Sequence, residues 1–110
     1  MSAPKAFGVY TARFPFLDSA ETKIRPVIVA SKPQGPHGVI AVVPVSSRPT
    51  REDIDVTINE WSHAGLLKLS VARVHRLTTM LQADLIAELG VLDQKEIKAL
   101  QASLKKFLNL

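Results

Sequence analysis

Cysteine is absent from this 110-residue chain, which removes disulfides, thiolate nucleophiles and Cys-ligated zinc together. Long apolar runs are also missing. The longest, Val39 to Val45, has the length of a strand and falls far short of the ~20 residues that span a bilayer. The N-terminus, Met1-Ser2-Ala3-Pro4-Lys5, has no apolar signal core. A soluble, cytoplasmic chain with no membrane association is the expectation. Acidic side chains are few, 10 against 14 Lys and Arg, and the net charge of +4 suits an anionic partner such as a nucleic acid or an acidic protein. Hydrophobic residues reach 46%, enough for a packed core, and there is no repeat or low-complexity segment. The length predicts a single domain over residues 1–110.

The pattern predicts five short strands followed by two helices. Phe7 to Phe14 is rich in β-branched and aromatic residues, and Ile24 to Ser31 is a second strand. Pro26 cannot donate to a ladder, so it belongs at that strand's start or on an edge. Lys32 to Gly38 is a Pro/Gly turn, and Val39 to Val45 reads as a strand buried on both faces. Ile54, Val56 and Ile58 alternate with Asp55 and Thr57, the period of a half-buried strand. Ser70 to Thr79 is the last strand. Gln82 to Leu89 reads as a short helix stopped by Gly90. Asp93 with Glu96 opens the final helix as a capping-box-like pair, and Ile97, Leu100, Leu104, Phe107 and Leu108 form its apolar stripe to Leu108. Strands then helices imply an α+β domain, a small curled antiparallel sheet or barrel with a C-terminal helix on it.

Two arginines stand inside the most apolar segments: Arg25 in Ile24-Arg25-Pro26-Val27-Ile28-Val29, and Arg73 in Ser70-Val71-Ala72-Arg73-Val74-His75. A guanidinium is costly to bury unless it is paired, so two such residues point to an anion, and a phosphate fits a chain short of carboxylates. On a strand, Arg73 and His75 share a face. With Ser46 at the end of the third strand, the set is two guanidiniums, a hydroxyl and an imidazole. Such a set suits metal-free RNA cleavage. The substrate's 2′-OH attacks phosphorus, His75 moves protons, and arginine stabilises the charge on the phosphorane. A 2′,3′-cyclic phosphate results, and DNA is spared for want of the hydroxyl.

The chain resembles the MazF/PemK toxins of bacterial type II toxin–antitoxin systems over nearly its whole length. The resemblance is carried by Phe14-Pro15-Phe16, Lys23 to Val29, Val43-Pro44-Val45-Ser46-Ser47, Gly65-Leu66, Ser70-Val71-Ala72-Arg73 and Leu89-Gly90-Val91-Leu92. It implies a homodimeric barrel of the Src-homology-3-like kind, the CcdB/MazF toxin fold. It also implies a metal- and cofactor-independent, sequence-specific endoribonuclease on single-stranded RNA, neutralised by an acidic antitoxin. The family's phosphate-contacting arginine before proline falls on Arg25, its hydroxyl residue on Ser46, and the later-strand arginine on Arg73. The chain departs from the family at Phe7-Gly8, where many members carry Gly-Asp, and at His75, where some carry a catalytic aspartate. The loop Leu17 to Thr22 has no histidine. The proton-transfer role of His75 is therefore read from its chemistry and position.

Each assignment has a plainer counterpart. Arg25 can pair with Glu21, and Arg73 can sit on an edge strand. Ser46 and Ser47 can be turn residues. Lys23, Ser47, Arg48 and Arg51 flank the site as RNA-binding candidates or as solvated loop groups. Glu52, Asp53 and Asp55 read as a solvated strand face rather than a metal site. Trp61 reads as core or dimer interface, and His37 and His63 carry no motif. A second function keeps the fold and changes the class: a non-nuclease toxin or adaptor that binds a protein target such as gyrase. A DNA-binding regulator finds no recognition helix, because the most regular helix is occupied by its apolar stripe.

Overall fold

The computed structural model describes residues 3–15, 22–49 and 52–110. Its strands are β1 (Gly8–Pro15), β2 (Thr22–Val29), β3 (Val39–Ser46), β4 (Val56–Ile58), β5 (Ser70–Ala72), β6 (Thr78–Leu81) and β7 (Leu85–Val91), followed by one helix, α1 (Gln94–Leu108). Every pairing is antiparallel. The order runs β4-β5-β3-β2-β1-β7, with β6 also on β3. The result is a curled half-barrel with the helix packed on it, the expected architecture.

The core explains the curl. β2 and β3 bury alternate residues on opposite faces. Ile28, Val43 and Val45 join Leu100 of α1 in one cluster, and Val27, Val29, Ile40 and Val42 join Ala12 and Leu85 in another. The first lies between sheet and helix; the second lies within the curve of the sheet. The apolar run of β3 is thus covered on both sides from Val42 to Val45, as expected, whereas Val39 at its start is exposed and Ala41 only partly buried. Pro26 sits where its missing N–H costs nothing. The β2–β3 ladder begins at Val27↔Pro44, one residue later, so Pro26 lies beyond the paired stretch on that side.

Three expectations are corrected. The strand expected over Ser70 to Thr79 breaks in two. From Val45↔Ala72 to Val42↔Thr78, β3 advances three residues while the opposite chain advances six. The surplus is taken up by a 3₁₀ turn at Val74–Arg76. The helix expected over Gln82 to Leu89 is instead a 3₁₀ turn, Gln82–Asp84, leading into β7. Pairing with β1 overrides the local helical spacing, and two register shifts bend the ladder. Gly90 caps nothing. It lies in β7, where a Cβ would stand 2.7 Å from the Ala64 carbonyl carbon. Gly65 meets the same strand from the other side. At φ +78° a Cβ there would collide with the Leu89 carbonyl oxygen. The two glycines let the turn before Leu66 lie directly against β7. Finally, the strand expected over Ile54 to Ile58 shortens to Val56–Ile58.

The final helix follows its sequence closely. Asp93 accepts a hydrogen bond from the Glu96 amide at 3.0 Å, and Asn109 ends the helix in the left-handed region. The Glu96 carboxylate departs from a capping box. It is buried and accepts from the Glu60 amide at 2.9 Å, fastening the start of α1 to the segment after β4. Ser103 Oγ donates to the Ile54 carbonyl and fixes the helix farther along.

Candidate RNA-cleavage site

A buried guanidinium must find an anion or strong acceptors. Arg73 is 9% exposed and finds both. Its Nη1 donates to Asp55 Oδ2 at 2.7 Å, and its Nη2 donates to the Pro49 carbonyl at 3.0 Å and the Arg48 carbonyl at 3.4 Å. Its own amide donates to the Pro44 carbonyl at 2.9 Å. Arg73 therefore ties the loop after β3 to the segment before β4. The anion anticipated for it as a phosphate is supplied from inside the chain.

Asp55 is the residue whose place sequence reasoning missed. Grouped with Glu52 and Asp53 on a solvated face, it is instead fully buried at its side chain. The correction has a physical cause. β4 begins only at Val56, so the alternation that would turn residue 55 to solvent does not apply. Asp55 Oδ2 also accepts from the Glu52 amide at 3.3 Å, and Oδ1 lies 3.5 Å from His75 Nδ1. Asp53, by contrast, is exposed and meets Lys106 at 3.3 Å on the surface. The signal that could have found Asp55 was the arginine itself, which needed an acid in a chain with few of them.

Arg73 and His75 come together, though not by strand geometry. Arg73 stands at the entry of the Val74–Arg76 turn and His75 inside it, and both converge on the one carboxylate. The His75 side chain is 31% exposed while its Nδ1 is buried.

The second group lies across β3. Lys23 and Arg25 are exposed on β2, opposite Phe14 and Ala12 of β1. Arg25 is two residues beyond Val27 and Ser46 two residues beyond Pro44, so both pass the end of the β2–β3 ladder at the same edge. Ser46 Oγ accepts from the Arg48 amide at 3.1 Å, closing a tight turn that leaves Ser47 and Arg48 exposed. Arg51 and Glu21 lie outside the described residues. Arg25 and the Arg73 backbone lie on opposite sides of β3, with the Ser46–Pro49 loop at the end of that strand. Because Arg73 is paired with Asp55, the exposed cations of this edge among the described residues are Lys23, Arg25 and Arg48.

Among the described residues no three His, Asp or Glu side chains gather as a metal would need. His37 and His63 are exposed, and Trp61 packs against the main core. No described helix is long and apolar enough to cross a membrane.

Comparison with known structures agrees with the architecture. The Mycobacterium tuberculosis toxin MazF-mt6 superposes with a TM-score of 0.73 at 22% identity, covering 94% of this chain and 97% of that one. MazF from Deinococcus radiodurans gives 0.74 at 17% identity over the full length of both. An endoribonuclease in complex with its cognate antitoxin, from a mycobacterial species, gives 0.72 at 16% identity over 98% and 97%. No curated protein sequence matches the chain. The family model for the PemK-like, MazF-like toxins matches residues 5–108, nearly the whole chain. With that match and the half-barrel in agreement, the chain belongs to the PemK-like, MazF-like toxins of type II toxin–antitoxin systems.

Proposed function

We propose that this toxin is a metal-independent endoribonuclease that cleaves single-stranded RNA by attack of the 2′-OH on the adjacent phosphorus. The observation that carries the reading is the placement of Arg25 and Ser46 past the end of one ladder, at an edge whose exposed cations are Lys23, Arg25 and Arg48. In this reading Arg25 binds the scissile phosphate and stabilises the charge that develops on it. Ser46 orients a phosphate oxygen. Lys23, Ser47, Arg48 and Arg51 hold neighbouring phosphates and sugars of the strand. His75 takes and returns protons from the open side of its ring. Arg73 acts from beneath, holding the Ser46–Pro49 loop by its two carbonyls rather than gripping the phosphate.

The partners of this reading are a second copy of the chain and an acidic antitoxin. Leu67 and Leu69 are strongly exposed, apolar surface of the kind a second subunit covers. The basic edge suits an acidic peptide as well as RNA, and the mycobacterial endoribonuclease noted above is seen with its cognate antitoxin.

Incubation of pure protein with single-stranded RNA in EDTA tests the proposal. Fragments ending in 2′,3′-cyclic phosphate are expected, with single-stranded DNA of the same sequence left whole. Intact RNA would favour the rival reading, a toxin of this fold acting on a protein target.

A further inference from the structure

We infer that Asp55 is a positioning residue: its carboxylate orients His75 for proton transfer. The inference rests on the endoribonuclease reading and adds to it a buried residue that touches no substrate. The geometry is asymmetric. Asp55 Oδ2 is engaged by Arg73 and the Glu52 amide, which fix the carboxylate plane. Its Oδ1 is thereby aimed at His75 Nδ1, 3.5 Å away. That nitrogen is buried and makes no hydrogen bond of its own. A donor in this position gains by facing a carboxylate, and a shift of about half an ångström brings the contact into hydrogen-bond range. Catalytic hydrogen bonds are commonly long before substrate arrives and tighten once it is bound.

The consequence is a choice of tautomer. With Nδ1–H facing Asp55, Nε2 carries the lone pair, and the exposed part of the side chain lies away from Nδ1. Nε2 can then accept the proton of a 2′-OH as the bond to phosphorus forms, and return it to the departing 5′-oxygen as the old bond breaks. No other reactant is needed. An orienting carboxylate of this kind acts through the imidazole and is not itself protonated. The same carboxylate holds Arg73, so the histidine and the Ser46–Pro49 loop share one anchor.

Asp55→Asn separates the two roles. The amide oxygen still accepts from Arg73, because the guanidinium repels the NH₂ group, which then faces His75 and forces Nδ1 to accept. Nε2 carries the proton and cannot act as base. A fall in kcat on the order of 10²-fold is expected, with KM within about threefold because the loop keeps its anchor. In a His75→Ala background the same substitution should cost less than about twofold, since the group it orients is gone. A folded Asp55→Asn variant with wild-type kcat, or an equal loss with and without His75, overturns the inference.

A measurement on the wild-type protein does not depend on any variant folding. Imidazole ¹⁵N resonances of neutral His75 should report the Nδ1–H tautomer, and the Nε2–H tautomer overturns the assignment. If the wild-type protein leaves RNA intact, the endoribonuclease reading fails by itself, and the tautomer still decides whether Asp55 orients His75.

Discussion

Arg25 and Arg73 are alike in sequence and opposite in the fold. Each sits in a run of valines, isoleucines and alanines beside a strand. Arg25 lies on β2 where the ladder to β3 has ended, and it is exposed. Arg73 lies past the end of β5, held by its backbone to Pro44, and its guanidinium is enclosed with Asp55. The difference shows that an arginine in an apolar segment does not by itself say whether its charge is enclosed or left at the surface. At Arg73 the chain itself supplies the anion. Arg25 stays at the surface. Arg73 should be read in stability and, under the proposed function, Arg25 in binding and rate.

Substitution at Arg25 should have the largest effect on function and the smallest on folding. Arg25→Ala is expected to lower RNA cleavage by about 10²–10³-fold, the range for losing one charge-stabilising donor group. Stability should change by no more than about 0.5 kcal/mol, as at other exposed sites. Cleavage assays beside a thermal melt check both halves. Cleavage at the wild-type rate would remove Arg25 from the chemistry and the contrast with it.

Arg73→Met should do the reverse. It strands a carboxylate at a fully buried site, and breaking such a pair costs about 3–5 kcal/mol. Adding Asp55→Leu should recover most of that loss, because buried ion pairs are often replaced by apolar residues at little cost. The double variant should melt near the wild type yet cleave poorly, with the Arg48 and Pro49 carbonyls released. Denaturant unfolding and RNA cleavage on the same samples make the test. If cleavage returns along with stability, the pair serves the fold alone.

A third substitution probes where the fold tolerates no side chain. Gly65→Ala must adopt φ near +78° and place its Cβ against the Leu89 carbonyl oxygen. The backbone term alone costs roughly 1–2 kcal/mol, and the clash adds to it by pushing the turn off β7. A drop in the urea midpoint with wild-type slope is the expected result. An unchanged midpoint would mean that the turn and β7 part easily.

How much of this was legible in the sequence follows from how local each signal is. β1 to β3 and α1 were readable because apolar runs, a Pro/Gly turn and an Asp93 cap act over neighbouring residues. The pairing of Gly65 with Gly90 was visible only as two glycines, since their contact spans 25 positions of chain. The break at Val74–Arg76 was invisible, because it arises from the unequal lengths of β3 and its partner. β7 was misread for a related reason: Leu81, Leu85 and Leu89 have helical spacing, and only the waiting edge of β1 makes them a strand. In the site, Arg25 and Ser46 could be placed by their strands. Asp55 could not, because nothing near it in sequence shows that Arg73 closes over it.

The smallest predicted effect separates the two arginine environments most cleanly. Lys23 is exposed on β2, on the same side of the strand as Arg25. If this edge tracks the RNA backbone, each cation contributes chiefly by releasing counterions. Lys23→Gln should then weaken RNA binding and reduce the slope of log K against log salt by about 0.7, the value for one phosphate of a single strand. It should leave kcat at saturating RNA and the melting temperature close to wild type. Arg48→Gln should behave alike, since its side chain is exposed while its carbonyl remains free to hold Arg73. The Asp55 pair, closed off from solvent, should contribute nothing to that slope. A slope unchanged by Lys23→Gln would confine phosphate contact to Arg25 and the Ser46 loop, a shorter footprint along the strand.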